Sequence, residues 1–289
     1  MSNVSTPTTR GCLSVVATPI GNLSDISPRA LETLRAAEVI ACEDTRRTGL
    51  LLHALGVKVA LVSLHAHNES ARLPELLTRL KAGARIALVS DAGMPGVSDP
   101  GARLVSAAHA AEVRVEVIPG PSAVTAAIAA SGAPADRFVF AGFMPRKSGE
   151  RATLLDSLDS VGWPVVAFES PKRLSGLLAE LAARDPERRM AICRELSKLY
   201  EQTQVGSVAE LAARAAEIPI RGEITLVLWP RATDPQAEHA AARLESVIET
   251  LLGAGLSPGR AADAAAQIGA GARNAAYRTA LAAAKRRAT

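Results

Sequence analysis

The stretch RIALVSDAGMPGVSDPG, residues 85–101, begins as an uninterrupted apolar run and ends in two near-copies of one phrase, Ser-Asp-Ala-Gly and Ser-Asp-Pro-Gly. A short apolar run without polar alternation, bounded by Gly, Pro and Asp, is the pattern of a strand covered on both faces. Four neighbours share it: CLSVVAT (12–18), VIAC (39–42), VALVSL (59–64) and RVEVIPG (114–120). Ala/Leu segments of helical period separate them, which is the signature of an α/β domain with a mostly parallel sheet. One helix start is explicit in SPRALETLRAAE, where Ser27 caps, Pro28 takes the first position, and Leu31 and Leu34 share a face.

A second set of strand candidates follows the Gly-Pro turn PGPSA (119–123): FVFAGF (138–143), VVAFES (165–170), RRMAICREL (188–196) and EITLVLW (223–229). We therefore expect an N-terminal α/β domain over residues 12–120 and a second α/β domain over 121–231. Beyond Asp234 no strand candidate remains, and residues 236–289 read as an Ala-rich helical domain with Gly/Pro breaks. Within 255–289, Arg260, Arg273, Arg278, Lys285, Arg286 and Arg287 face Asp263 alone, a local charge of +5. The whole chain carries only +4 over 289 residues, so an anionic partner is admitted but not required.

Three cysteines, Cys12, Cys42 and Cys193, with no CxxC spacing, argue against a disulfide framework or a zinc knuckle. The first eleven residues are polar, and no stretch of about 18 apolar residues occurs. The expectation is a soluble protein of the reducing cytoplasm. The pair His65 and His67 invites a metal reading, but no Cys or other His stands nearby, and we expect no metal site.

In an open parallel sheet, ligands bind beyond the carboxyl ends of the strands. Three Gly/Pro-rich loops stand there: ATPIGN (17–22), SDAGMPGVSDPG (90–101) and PGPSA. None is a GxGxxG or a GxxxxGK[ST], so neither the dinucleotide fingerprint nor a P-loop is present, and a nicotinamide dehydrogenase is disfavoured. Each loop taken singly reads equally as a turn. Asp91, at the strand end, is the expected ligand contact; Asp99, before Pro100, is expected to start the following helix.

Eight segments in order, VATPIGNLSDISPRALETL, EDTRRT, LVSDAGMPGVSDPG, PGPSAVTAAIAASG, AGFMPRK, FESPKRL, ICRELSKLYE and GEITLVL, resemble the tetrapyrrole-methylase-like superfamily of S-adenosylmethionine enzymes. Within it they resemble the bacterial ribose methyltransferases of small-subunit ribosomal RNA. The resemblance runs from about residue 12 to 229 and continues into the tail. It implies a mostly parallel first sheet, a mixed second sheet and a small helical C-terminal domain. It also implies S-adenosylmethionine as cofactor, a homodimer, and 2'-O-methylation of a cytidine in the decoding region of 16S rRNA, presented free or in the small ribosomal subunit. Carried over by motif, Pro19 lies beside the cofactor and Asp91 and Met94 line the cleft floor. Ser122 and Ala123 supply the small contact pair, and Phe168, Glu169 and Leu196 close the cleft from the second domain.

Methyl transfer from a sulfonium to a hydroxyl is an in-line displacement, and a ribose hydroxyl needs a proton acceptor within hydrogen-bond reach. Glu43 and Asp44, Glu169 and Lys172, Glu195 and Lys198 all follow apolar strands. We expect Glu195 to be the base, beside a cofactor contact, with Glu43 second; for each the competing role is an ion pair with an adjacent basic residue. With four Phe, two Tyr and two Trp in the chain, no aromatic platform of the RRM kind is expected, and RNA would be held through phosphates by Arg46, Arg47, the PRK (145–147) and PKR (171–173) segments and the tail. Two readings compete: a tetrapyrrole (corrin precursor) or protein methylase of the same superfamily, and a noncatalytic S-adenosylmethionine-binding module.

Overall fold

The computed structural model describes residues 11–217, 221–231 and 235–287; residues 1–10, most of the polar first segment, fall outside the described residues. The first sheet contains β1 (Cys12–Val16), β2 (Val39–Cys42), β3 (Ala60–Ser63), β4 (Arg85–Leu88) and β5 (Arg114–Ile118), all parallel, in the order β3-β2-β4-β1-β5. Chain direction across the sheet reverses after β3. Right-handed crossovers then place α1 (Pro28–Ala36) and α2 (Thr45–Ala54) on one face, and α3 (Glu69–Lys81) and α4 (Ala102–Ala110) on the other.

The side chains follow the pleat. Leu13, Val15, Val39, Ala41, Ile86 and Leu88 pack against Leu76, Leu80 and Leu104 of α3 and α4. Their alternates Val16, Ile40, Cys42, Ala87 and Val89 pack against Ala30, Leu34 and Leu52 of α1 and α2. Ser27 caps α1 through a 3.1 Å bond from the Ala30 amide, with Pro28 behind it and Leu34 buried.

The start of α4 corrects one expectation. Asp99 does not cap it: the helix begins after Gly101, whose φ of 121° favours glycine and whose added Cβ would meet Leu88 Cδ2 at 2.7 Å. The amides of Gly101 and Arg103 instead donate to Oε1 of Glu69, a buried carboxylate reaching across from α3, at 3.2 Å each. A distant acid caps the helix, and Asp99 is left for other use.

The second sheet is mixed. It contains β6 (Val139–Phe143), β7 (Val165–Glu169), β8 (Arg189–Arg194), β9 (Gln202–Ser207) and β10 (Ile224–Leu228) in the order β6-β7-β10-β8-β9, with only β6 and β7 parallel. The strand β9, QTQVGS, was not expected. It is a polar edge strand paired antiparallel with β8 over six residues, and an edge position does not demand the apolar run by which buried strands announce themselves.

On one face α5 (Ala123–Ser131) packs Val124, Ala127 and Ile128 against Val166, Ala191, Cys193 and Val227. On the other, α6 (Ser148–Asp159), α7 (Pro171–Arg184) and α8 (Val208–Glu217) cover Val165, Ala167, Met190, Ile192, Leu226 and Leu228.

Both sheets belong to one compact unit ending at Pro230; a second unit begins at Arg231. That second unit contains α9 (Pro235–Gly253), α10 (Pro258–Gln267) and α11 (Arg273–Arg287), packed through alanines: Ala261, Ala262, Ala265, Ala276, Ala280 and Ala283 with Leu244 and Ile248. Its basic residues are less available than their count suggests. Arg273 pairs with Asp263, Arg286 with Glu245 and Arg287 with Glu249, at 2.6, 2.8 and 2.8 Å. Among the described residues, no helix is long and apolar enough to cross a membrane.

Candidate functional site

Because chain direction reverses after β3, the loops leaving β1 and β4 meet beyond their strands. The Thr18 amide donates to Gly93 O at 2.9 Å and the Gly93 amide returns to Thr18 O at 3.1 Å. These loops form the floor of a cavity of about 450 Å³, a volume suited to a small ligand. Its remaining walls come from the N-terminus of α5, the carboxyl ends of β6 and β7, and residues 222–225 entering β10.

Seven of the ten expected site residues line this cavity: Glu43, Asp91, Met94, Ser122, Ala123, Phe168 and Glu169. Pro19 is buried behind the wall, and its neighbour Ile20 faces in. Leu196 is a core residue packed with α5 and the second sheet. Glu195 also stands behind the wall: its Oε1 accepts from Lys198 Nζ at 3.0 Å and from the Glu223 amide at 2.8 Å. Those bonds, that amide's foremost, hold its carboxyl below the usual carboxylate range. The ion-pair role weighed for it in the sequence is the geometry it adopts, and from there it braces the segment 222–223.

The lining carboxylates differ in what they already hold. Asp91 Oδ1 accepts from the Asp44 amide at 3.3 Å and Oδ2 from Arg47 at 3.2 Å, so it ties the end of β4 to the start of α2. Glu169 is buried, bonded to the Ser170 amide at 2.6 Å and bidentate with Arg173. Asp44, in an adjoining polar recess, caps α2 and pairs with Arg46, whose hydrogen bonds hold it at about 2. Among the described residues, no hydrogen bond reaches Glu43. Burial first, and then the charge of Asp91, push its carboxyl above the ordinary range.

Asp99 is the site residue that sequence reasoning assigned elsewhere. It lines the cavity, and burial followed by the charge of Glu43 raises its carboxyl to about 6. The doubled Ser-Asp phrase was the available signal, since only one copy is needed to leave a strand. A carboxyl raised by folding is bound to its proton more tightly in the folded chain than in the unfolded one. The contribution of Asp99 to stability is therefore present near pH 4 and is lost as pH rises through about 6. Asp99→Asn removes that loss: its melting temperature should exceed wild type at pH 8, by a margin that closes toward pH 4. An equal margin at both pH values would show that Asp99 titrates normally.

A second, polar recess of about 520 Å³ adjoins the cavity, lined by Ser63, Asp44, Thr45 and Arg46, and it shares Glu43, Arg47 and Asp91 with the cavity. Glu43 thus stands on the boundary between a partly apolar chamber and a charged one. His65 lies close enough for its charge to act on Glu43; its ring meets that of His67 edge-on at 6.1 Å. Among the described residues, no cluster of three His, Cys, Asp or Glu side chains is placed to hold a metal.

A cavity at the switch of a parallel sheet, walled by a second mixed sheet, defines a class. The profile of the tetrapyrrole (corrin/porphyrin) methylases matches residues 13–212. Diphthine synthase superimposes with a TM-score of 0.58 over 75% of this chain and 89% of its own, at 19% identity, which speaks to the fold. The chain is also 44% identical over 272 residues to the ribosomal RNA small subunit methyltransferase I of Mesorhizobium japonicum, covering 93% of this chain and 91% of that protein. Its similarity to the protein of the same name from Synechocystis is 41% over 252 residues, 87% and 90% of the two chains. The chain belongs to the tetrapyrrole methylase family and, within it, to the group of these ribosomal RNA small subunit methyltransferase I proteins. It is a methyltransferase, and S-adenosylmethionine is the methyl donor of its family.

Proposed function

We propose that this chain transfers a methyl group from S-adenosylmethionine to the ribose 2'-oxygen of a cytidine in the decoding region of 16S rRNA, free or in the small subunit, in the cytoplasm and as a homodimer. The names of its relatives supply the substrate class, and the observation that carries the mechanism is Glu43 on the boundary of the two chambers.

The residues present fit the donor. The apolar side chains Ile20, Met94 and Phe168 offer a wall for a nucleoside, while Asp91 and Asp99 suit a ligand bearing ammonium and sulfonium charges. When bound, S-adenosylmethionine supplies a methyl group already activated on sulfur. The chain then has to hold the acceptor oxygen in line, exclude water and take one proton.

Glu43 takes that proton. Its carboxylate accepts no hydrogen bond among the described residues, and its raised pKa makes it a better base than a paired carboxylate. Asp91, fixed by Arg47 and the Asp44 amide, orients the donor. Glu195, the base expected from the sequence, braces the wall at 222–223 and becomes the second candidate behind Glu43. Pro19 and Leu196 act as backing for Ile20 and α5. The two α/β halves, 12–120 and 121–231, supply the floor and the roof, and the domain over 236–289 adds RNA affinity through exposed Arg260 and Arg278. Arg146 and Lys172, both exposed, are the phosphate anchors nearer the cavity, whereas Arg46 is paired with Asp44. Arg173 and Lys147 are less available, being paired with Glu169 and Glu150.

The test is transfer from labelled S-adenosylmethionine to undermethylated small subunits, free 16S rRNA, a corrin precursor and bulk protein, with 2'-O-methyl mapping of any labelled RNA. Label at one cytidine of the decoding region is expected. Label confined to the corrin precursor or to protein overturns the reading in favour of the other methylases, and donor binding with no transfer favours a binding module.

A further inference from the structure

Strand β6 alternates as a strand should until its last turn. Val139 and Ala141 point to the face covered by α6 to α8, and Phe140 points to the face of α5. Regular alternation would send residue 143 after Val139 and Ala141, under the helices. It does not go there, because the register with β7 slips: Phe140 pairs with Val166 and Phe143 with Phe168, three residues facing two. Gly142, with φ at 67°, absorbs the extra residue. An added Cβ there would meet Ser98 Oγ at 3.6 Å, so the bulge rests beside the loop that carries Asp99.

The slip turns Phe143 onto the cavity face. Its ring meets Phe168 edge-on at 5.4 Å, and Phe168 in turn meets Phe140 at 5.0 Å. The buried position goes to Met144, which is 2% exposed and packs with the helical face. Phe143 lines the cavity and is still 61% exposed. A bulge that removes a phenylalanine from a core and leaves it open at a cavity mouth sacrifices burial of a large ring, which points to a ligand that covers it.

We propose that Phe143 is the stacking platform for the base of the nucleotide being methylated. This rests on the proposed RNA function and names the part of the substrate that the site grips. The base is the rigid group attached directly to the reacting ribose, so a stacked base limits the ribose to few orientations and holds its 2'-oxygen in line. Phe168, set deeper, serves the donor side of the same wall. Exposed Arg146, three residues on, would supply a cation for a phosphate attached to that nucleotide.

The experiment compares Phe143→Leu and Phe143→Trp with wild type, using undermethylated small subunits as acceptor. Single-turnover rates, KM for subunits and the S-adenosylmethionine dissociation constant are read separately. Loss of a base–aromatic stack should raise the Phe143→Leu KM for subunits about tenfold or more. Donor binding should stay unchanged, and Phe143→Trp should restore the wild-type KM. The exposed ring makes little contribution to the core, and an unchanged melting temperature checks this. A weakened donor constant with unchanged subunit KM would assign the ring to the donor's adenine and overturn the proposal. Unchanged values for both would overturn it as well. Wild-type chain that transfers no methyl to any RNA would overturn the function reading and this proposal with it, whereas active wild type with an unaffected Phe143→Leu defeats this proposal alone.

Discussion

Replacing Glu43 by Gln should lower the single-turnover rate of methyl transfer by about 10²- to 10⁴-fold, the range a positioned proton acceptor contributes. The amide keeps the shape of the side chain and its place between the two chambers, so donor affinity should change by no more than about twofold. The pH profile carries a second signature. Burial and Asp91 raise the Glu43 carboxyl, and only the ionised form accepts a proton. The wild-type rate should therefore climb with pH through that raised pKa and then level off, whereas the residual rate of Glu43→Gln should lack this step. Glu195→Gln provides the contrast. It loosens a brace at the Glu223 amide, so its effect should fall on donor KM with kcat nearly intact. The reverse pattern, a kcat loss of 100-fold or more in Glu195→Gln with Glu43→Gln near wild type, would make Glu195 the base.

Asp159→Ala should destabilise the chain by about 3–5 kcal/mol, measured as a fall in the urea midpoint at constant slope. The side chain of Arg188 is only 3% exposed, and its guanidinium donates to Asp159 Oδ1 at 2.7 Å and to Trp229 O at 2.8 Å. Those bonds join the end of α6 to the strand starts and ends of β8 and β10. Arg184 also reaches Asp159, at 3.4 Å. Removing the acid leaves a buried guanidinium with its strongest acceptor gone, and burying an uncompensated charge is costly. A loss under about 1 kcal/mol would mean that water or a neighbouring acid replaces Asp159, as happens for exposed pairs.

Much of this architecture could be read from the chain before any coordinates. The central strands β1, β2 and β4 are buried on both faces, so burial leaves a mark in composition. Ser27 and Pro28 act within one helical turn, and the structure places them where the local rule does. The strand β9 escaped notice because an edge strand keeps its polar residues. The start of α4 was misread for a different reason. Asp-Pro-Gly is a credible local cap, but Glu69, more than thirty residues earlier, satisfies those amides.

The site divides in the same way. The loops after β1, β4 and β5 are clusters of Gly, Pro, Ser and Asp, and most of the residues expected there line the cavity. Which carboxylate keeps its proton-accepting capacity was not legible. Glu43, Asp91, Asp99, Glu169 and Glu195 look alike along the chain, and what separates them is the pairing of Asp91 with Arg47, of Glu169 with Arg173, and of Glu195 with Lys198 and the Glu223 amide. The tail shows the same limit, since its charge count over 255–289 included Asp263 but not Glu245 and Glu249 of α9, which pair with Arg286 and Arg287.

Order along the chain and periodicity set the element types, the two-sheet plan and the loops that face a ligand, because backbone geometry and burial act within a few residues. Three-dimensional packing assigned the roles within that plan. Electrostatics and hydrogen bonding act between residues that only folding makes neighbours, and a one-residue slip at Gly142 is enough to turn Phe143 from the core to the cavity.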